Sequence, residues 1–451
     1  MRIITGIFFV FLIASNLCDI NAQYDEDHTE KDLISVFDRV QEVFDDEINL
    51  WYPLCVDTIS GGYFSDINYK WQLDGIQNKM IVTQARHIWS ATNAFLFYKN
   101  REDLLDFAEH GFKFLKEKMW DSTYGGFYDL VDRNGNPVKE NDKLIKRAYG
   151  NAFAIYGLAC YYRASGNRAA LELAKQTFYW LDSHSFDKVY GGYFQFLNQN
   201  GEALLYGYEG TPPKDQNSSI HLLEAFTELY KVWKDDLLKQ RLSSILELIR
   251  DKFTNRDGYL NLFFTRELVP VSYRDSSEDV RNKNLDFDHV SFGHDIETAY
   301  LMIEAEEVLG NPGIEKTLSV AKKMIDHTID FGWDNEKGGI YDAGYYFEKK
   351  RVPEIIKKNK VWWTQAEALN SLLLASGLFP EEKTRYLKKF IRLWNYIENY
   401  SLDKDFRGWY WDGLDYVPEN RFFAKGTIWK ANYHTSRALS NILLHRKNFI
   451  K

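Results

Sequence analysis

The stretch Asp121-Ser122-Thr123-Tyr124-Gly125-Gly126-Phe127-Tyr128 joins an acidic residue, a glycine pair and two rings in one short run. Asp, then glycine, then aromatics is turn chemistry feeding a strand, so the run reads as a brief β-excursion. It recurs as Gly61-Gly62-Tyr63-Phe64, Gly191-Gly192-Tyr193-Phe194 and Gly338-Gly339-Ile340-Tyr341. Weaker copies, Gly258-Tyr259-Leu260 and Gly408-Trp409-Tyr410-Trp411, bring the series to six, with first glycines 64 to 80 residues apart. Three to five residues ahead of each copy stands Asp57, Asp121, Asp187, Asn255, Asp334 or Asp403.

Between the excursions the pattern turns helical. Leu33, Val36, Phe37, Val40, Val43, Phe44 and Ile48 recur at helical spacing before the first copy. A second helix is expected after every copy, over residues 84–98, 149–164, 217–233, 293–309, 362–376 and 433–444. One unit is therefore helix, excursion, helix, and a period of this length signals a solenoid or a toroid. Open stacks carry polar capping repeats at both ends, and none is legible here. The strongest polar signals fall at the starts of the second helices. The pattern predicts an all-α, closed (α/α)6 barrel with the second helices inside, decorated by short β-hairpin excursions. With no Pro-rich linker or low-complexity segment, residues 23–451 read as a single catalytic domain.

The 451 residues are 45% hydrophobic and 27% charged, which excludes a disordered tail, a collagen-like chain and a small disulfide scaffold. With 65 acidic against 56 basic residues, the charge balance argues against a nucleic-acid partner. Aromatic residues reach 16%, which suits either core packing or a cleft that stacks on sugar rings. Residues 1–22 read as a secretory signal peptide: Arg2, an apolar run from Ile3 to Ala14, and Ala22 before Gln23 as cleavage point. That run is too short to span a bilayer, and no later stretch is apolar for long enough. Bulky Leu17 ahead of Cys18 argues against lipid anchoring. The expectation is an exported, soluble protein, periplasmic or extracellular, acting as monomer or homodimer. Cys55 and Cys160 then read as buried free thiols rather than a disulfide framework.

At the converging helix starts, Asn217, His221 and Glu224 share one helical face, and His294 and Glu297 another. The sixth helix opens Tyr433-His434, so three of the ten histidines fall at nearly equivalent points of different repeats. Arg86 with Trp89, Tyr149 with Asn151, and Trp363 with Gln365 and Glu367 supply further groups at that level. Three imidazoles could ligate zinc, yet His-x-x-x-His and His-Glu-x-x-His spacings are absent and no Cys joins them, so no metal is expected. Imidazoles suit proton transfer near neutral pH. Two of them on opposite sides of a carbon could take a proton from one face and return it to the other. Glycoside hydrolysis needs two opposed carboxylic acids, for which Glu224, Glu297, Glu367 and Asp295 are available, so that reading stays open.

The segments Gln84-Ala85-Arg86-His87-Ile88-Trp89, Tyr149 to Tyr156, Gly293-His294-Asp295-Ile296-Glu297, Trp362 to Ala368 and Trp429-Lys430…Tyr433-His434 resemble the N-acylglucosamine 2-epimerase family, most of all its cellobiose 2-epimerase branch. The resemblance spans nearly the whole chain after residue 22 in the same order. It implies an (α/α)6 barrel that acts on the reducing end of an aldose or disaccharide with no metal or redox cofactor. It also implies that His294 and His434 exchange the C2 proton, and that His221 assists ring opening. By the same resemblance, Arg86 contacts the sugar oxygens, and Tyr149, Asn217, Glu297, Trp363 and Trp429 line or support the site. Trp89 and Glu367 join the candidate lining from their level in the helices. Protonation of the same enediolate at C1 would make the protein an aldose–ketose isomerase of the mannose isomerase type. The last segment departs from the cellobiose branch, reading Ala431-Asn432-Tyr433-His434-Thr435 where that branch has Cys-Pro-Tyr-His-Asn.

Overall fold

The computed structural model describes residues 31–348 and 350–449. The signal-peptide and Cys18 readings fall on residues 1–22, outside the described residues. The outer helices are α1 (31–51), α3 (Glu102–Phe114), α5 (Arg168–His184), α7 (Asp236–Leu248), α11 (Ile314–Phe331) and α13 (Lys383–Tyr396). The inner helices are α2 (Ile81–Tyr98), α4 (Ala148–Ser165), α6 (Gln216–Val232), α10 (Phe292–Leu309), α12 (Trp362–Leu378) and α14 (Tyr433–His445). Each inner helix packs on the next, and α14 packs on α2, which closes the ring. The inner helices are buried on nearly every face over most of their length, whereas the outer ones keep a charged stripe toward water. Aromatic contacts fill the layer between the rings, such as Phe112 on Tyr161 at 5.5 Å and Phe178 on Phe226 at 5.3 Å.

Helix ends follow local chemistry. Asn167 and Asp235 cap α5 and α7 by accepting from two backbone N–H groups each. Gly166 and Gly310 terminate α4 and α10 in the left-handed conformation. The wide gap between the fourth and fifth excursions holds two short helices that the periodicity did not predict, α8 (Glu278–Lys283) and α9 (Leu285–Asp288).

All six excursions close with one antiparallel bridge, for example Trp120 with Phe127 and Phe186 with Tyr193. Asp121 shows how: its Oδ1 accepts from the N–H groups of Thr123 and Tyr124, and its backbone N–H donates to Gly126. Gly126 has φ +72°, and a Cβ there would lie 2.8 Å from the Trp180 ring, so only glycine fits.

A buried lysine completes five of the six turns. Lys79, Lys146, Lys214, Lys360 and Lys425 meet Asp57, Asp121, Asp187, Asp334 and Asp403 at 2.6–3.0 Å. Four of these lysines stand two residues ahead of an inner helix. The strands that carry them pair with the following repeat: β1 (Lys79–Met80) with β2 (Leu130–Val131), β3 (Ile145–Arg147) with β4 (Phe196–Asn198), and β5 (Lys214–Asp215) with β6 (Phe263–Phe264). In the fourth repeat β7 (Val290–Ser291) pairs with β8 (Ala343–Tyr345), which also pairs with β9 (Glu354–Lys357). The start of each of these inner helices is thus stitched to its neighbour.

Candidate active site

Side chains one turn into the inner helices bind the excursions and fix the helix starts. Gln84 bonds both backbone groups of Tyr63, Asn151 accepts from Phe127 N–H, and Gln365 bonds both groups of Ile340. Asp295 does the same for Leu260 N–H at 2.8 Å. Gln365, a candidate from its level in the helices, and Asp295, a carboxylic acid available to the hydrolysis reading, are therefore framework groups.

The three histidines converge. Each is held through Nδ1: His221 by Glu224 at 2.9 Å, His434 by Glu367 at 2.6 Å and His294 by the Ser291 hydroxyl at 2.8 Å. Among the described residues no protein group meets Nε2 of any of them. The Trp363 ring lies 4.8 Å from His294 and 5.6 Å from His434, so one indole flanks both imidazoles. Gly293 permits this, because a Cβ there would fall 2.5 Å from the Trp363 ring. Tyr149 and Phe153 pack on His221 at 5.2 and 4.6 Å.

Burial, aided by the neighbouring His221, His289, His434 and Arg86, pushes the His294 imidazole down to about 3. Burial and Arg86 also hold His434 well below its ordinary value, against the opposing pull of Glu297. Both rings are therefore neutral at neutral pH, as a base requires.

Arg86 is fixed by Tyr149 Oη at 3.0 Å and the Trp429 carbonyl at 3.2 Å, with its guanidinium over Phe153 and Tyr433. Its buried Nε has no partner among the described residues, which leaves a donor for a ligand oxygen. Trp89 is buried, stacked on Tyr156 and edge-on to Tyr433, and so backs this wall.

Beneath this layer lies a group the sequence reading did not find. Arg437, 2% exposed, binds Glu224, Glu297, Glu367 and Tyr433 Oη. Burial alone would raise Glu224, but Arg437, His221 and Tyr433 outweigh it and bring its carboxyl down to about 2. Glu367 is pushed up by burial against the pull of Arg437. Glu297, Glu367 and His434 offer ligand atoms within 4.8 Å of one another, a spacing suited to a metal ion. Arg437 already sits on both of those carboxylates, so its guanidinium meets the cluster's demand for a cation. Glu297 and Glu367, read as candidate sugar ligands, both bind Arg437, Glu367 also orients His434, and the buried Oε2 of each has no partner among the described residues.

A cavity of about 330 Å³ opens beside His294, Tyr149, Asn217 and Trp429 and continues to Arg147, Asp286 and His289. His221, His434 and Arg86 are buried and do not line it, and Trp429, which does, is 47% exposed. Asp215 also lines it, with Oδ2 capping α6 and a buried Oδ1 that has no partner among the described residues. Burial raises the Asp215 carboxyl to about 6, against the pull of its Ser218 contact. Asn217 Oδ1 is likewise without a partner among the described residues, so both oxygens can accept from hydroxyl groups.

A helical toroid with paired neutral imidazoles, a fixed guanidinium and hydroxyl acceptors is suited to proton transfer on a hydroxylated substrate. Residues 62–438 match the N-acylglucosamine 2-epimerase (GlcNAc 2-epimerase) family, and the chain belongs to that family. It is 32% identical over 411 residues to a cellobiose 2-epimerase of Ruminococcus albus, covering 89% of this chain and 97% of that one. A D-mannose isomerase of Marinomonas mediterranea is 23% identical over 87% of this chain and 93% of its own. Among solved structures, the cellobiose 2-epimerase of Spirochaeta thermophila superposes with a TM-score of 0.78 at 29% identity, covering 92% of this chain and 98% of that one. Among the described residues, no helix is long and apolar enough to cross a membrane. Cys55 and Cys160 are buried and free.

Proposed function

We propose that the protein is a carbohydrate 2-epimerase that inverts C2 at the reducing end of an aldose or β-linked disaccharide. One of His294 and His434 removes the C2 proton through Nε2, Arg86 and His221 steady the enediolate, and the other histidine delivers a proton to the opposite face. The observation that carries this reading is the pair of imidazoles on one indole, each tied through Nδ1 with Nε2 left free. Trp363 offers a face for the sugar, and the cavity beyond His294 has room for a second ring. The likeness to cellobiose 2-epimerases supports the disaccharide.

A second reading is aldose–ketose isomerisation, favoured by the likeness to a D-mannose isomerase. Hydrolysis is disfavoured because Glu224, Glu297 and Glu367 converge on one guanidinium rather than standing opposed across a substrate. We further propose that residues 23–451 form one catalytic unit released by cleavage of an export signal.

The deciding experiment incubates the enzyme with cellobiose, mannobiose, glucose and mannose in deuterated water and follows proton NMR. Epimerisation predicts loss of the C2 proton and growth of the C2 epimer. A ketose product would replace the reading with isomerase, and monosaccharides released from a disaccharide would replace it with hydrolase.

A further inference from the structure

The groups that hold Nδ1 differ in what they allow. The Glu367 oxygen that meets His434 Nδ1 also accepts from Arg437. An oxygen facing a guanidinium is an acceptor, so His434 Nδ1 carries a proton and its Nε2 presents a lone pair. His294 Nδ1 faces a hydroxyl, which can donate or accept, so this ring can keep its proton on either nitrogen. Ser291 Oγ has no second partner among the described residues, and Ser291 lines the cavity beside His294, within reach of water. Its backbone is held by the pairing of Ser291 with Ala343.

We propose that the Ser291 hydroxyl is a proton relay that sets the tautomer of His294, letting this ring act as acid in one direction and base in the other while staying neutral. The proposal rests on the two-histidine epimerase reading. In the acid direction His434 Nε2 takes the C2 proton and becomes imidazolium, leaving an enediolate. His294 Nε2–H gives its proton to C2 from the opposite face while Nδ1 takes the Ser291 hydroxyl proton. Cavity water restores the serine, the proton on His434 leaves to water, and no net charge remains. In the reverse direction His294 Nε2 takes the C2 proton, its Nδ1–H passes to Ser291 Oγ and the serine's own proton passes to cavity water. His434, protonated at Nε2 from that water, gives its proton to C2 from the opposite face. Burial disfavours an imidazolium at His294, and the Ser291 hydroxyl on Nδ1 lets this ring trade protons without forming one. Ser291 acts through His294, so it is a positioning residue.

The test compares the unmodified enzyme with Ser291→Ala and Ser291→Thr in deuterated water, starting from cellobiose and separately from its C2 epimer. NMR reads deuterium gained at C2 of the recovered starting sugar against epimer formed. That ratio is independent of how much of the protein is active. Losing the relay raises the barrier on the His294 face alone. From the epimer that His434 deprotonates, Ser291→Ala is expected to raise the ratio at least about tenfold. From the other epimer the ratio does not rise, and Ser291→Thr, which keeps the hydroxyl, stays within about twofold of the unmodified enzyme from both. An unchanged ratio, a rise from both epimers, or a threonine variant that behaves like alanine overturns the relay. An unmodified enzyme that exchanges no C2 proton refutes the epimerase reading instead, which keeps the two failures apart.

Discussion

Replacing Arg437 by methionine removes the guanidinium shared by Glu224, Glu297 and Glu367 and keeps a side chain of similar length. Burial favours the neutral form of Glu224, yet Arg437, His221 and Tyr433 bring it from an ordinary 4.5 to about 2. By linkage, a carboxyl held down that far stabilises the folded state by about 3 kcal/mol at neutral pH. Because its folded pKa is depressed, that contribution is complete above the ordinary value and is lost as pH falls toward the folded one. Without the guanidinium, burial is opposed only by the weaker His221 and Tyr433 contacts and the sign reverses. The variant is then weakest at neutral pH and recovers as acid protonates the buried carboxyls. Removing one partner of a buried pair costs about 3–5 kcal/mol. With about 2 cal/mol/K of unfolding entropy per residue, a chain of this size converts that into a Tm lower by about 4 °C at about pH 7. Far-UV circular dichroism melts of both proteins at about pH 7 and about pH 5 check the sign, and the Tm gap is expected to shrink by about half at the lower pH. A gap that stays constant or widens toward acid would refute the reasoning, because the carboxylates would then not depend on Arg437.

His294→Ala and His434→Ala are each expected to slow C2 deuterium exchange by at least about a hundredfold, and full exchange in either variant contradicts the two-histidine mechanism. Gly126→Ala combines a left-handed backbone with a Cβ pressed on Trp180, so urea unfolding should report a loss of about 1–3 kcal/mol. Lys146→Met strands Asp121, and adding Asp121→Asn should recover part of the loss; a double-mutant cycle is expected to give a coupling of at least about 1 kcal/mol. Iodoacetamide should leave Cys55 and Cys160 unmodified until denaturant is added, as peptide mass spectrometry would show.

The glycine pairs and the inner helices were legible because their meaning is local: a turn or a helical face is written in neighbouring residues. The observed inner helices begin within about three residues of the expected starts. Arg437 is different, since its role depends on glutamates 70, 140 and 213 residues away. Yet the alignment of repeats that brought the histidines together contains it. Three residues after His221 stands Glu224, after His294 stands Glu297, and after His434 stands Arg437. One helical turn below the imidazoles the repeats therefore carry buried acids and one base. Acids at a common buried depth require a cation, so the second layer was available to the same argument. The lysine series carries the same lesson. Lys79, Lys146, Lys214 and Lys360 each stand two residues ahead of an inner helix, and the fourth repeat has Val290 at that point. The turn it would serve has Asn255 where the other five have Asp. Lysine and aspartate disappear together, because either charge alone would be buried without its partner at a cost of several kcal/mol. Paired loss within one chain thus points, with no second sequence needed, to the buried lysine–aspartate contact that the other five repeats make.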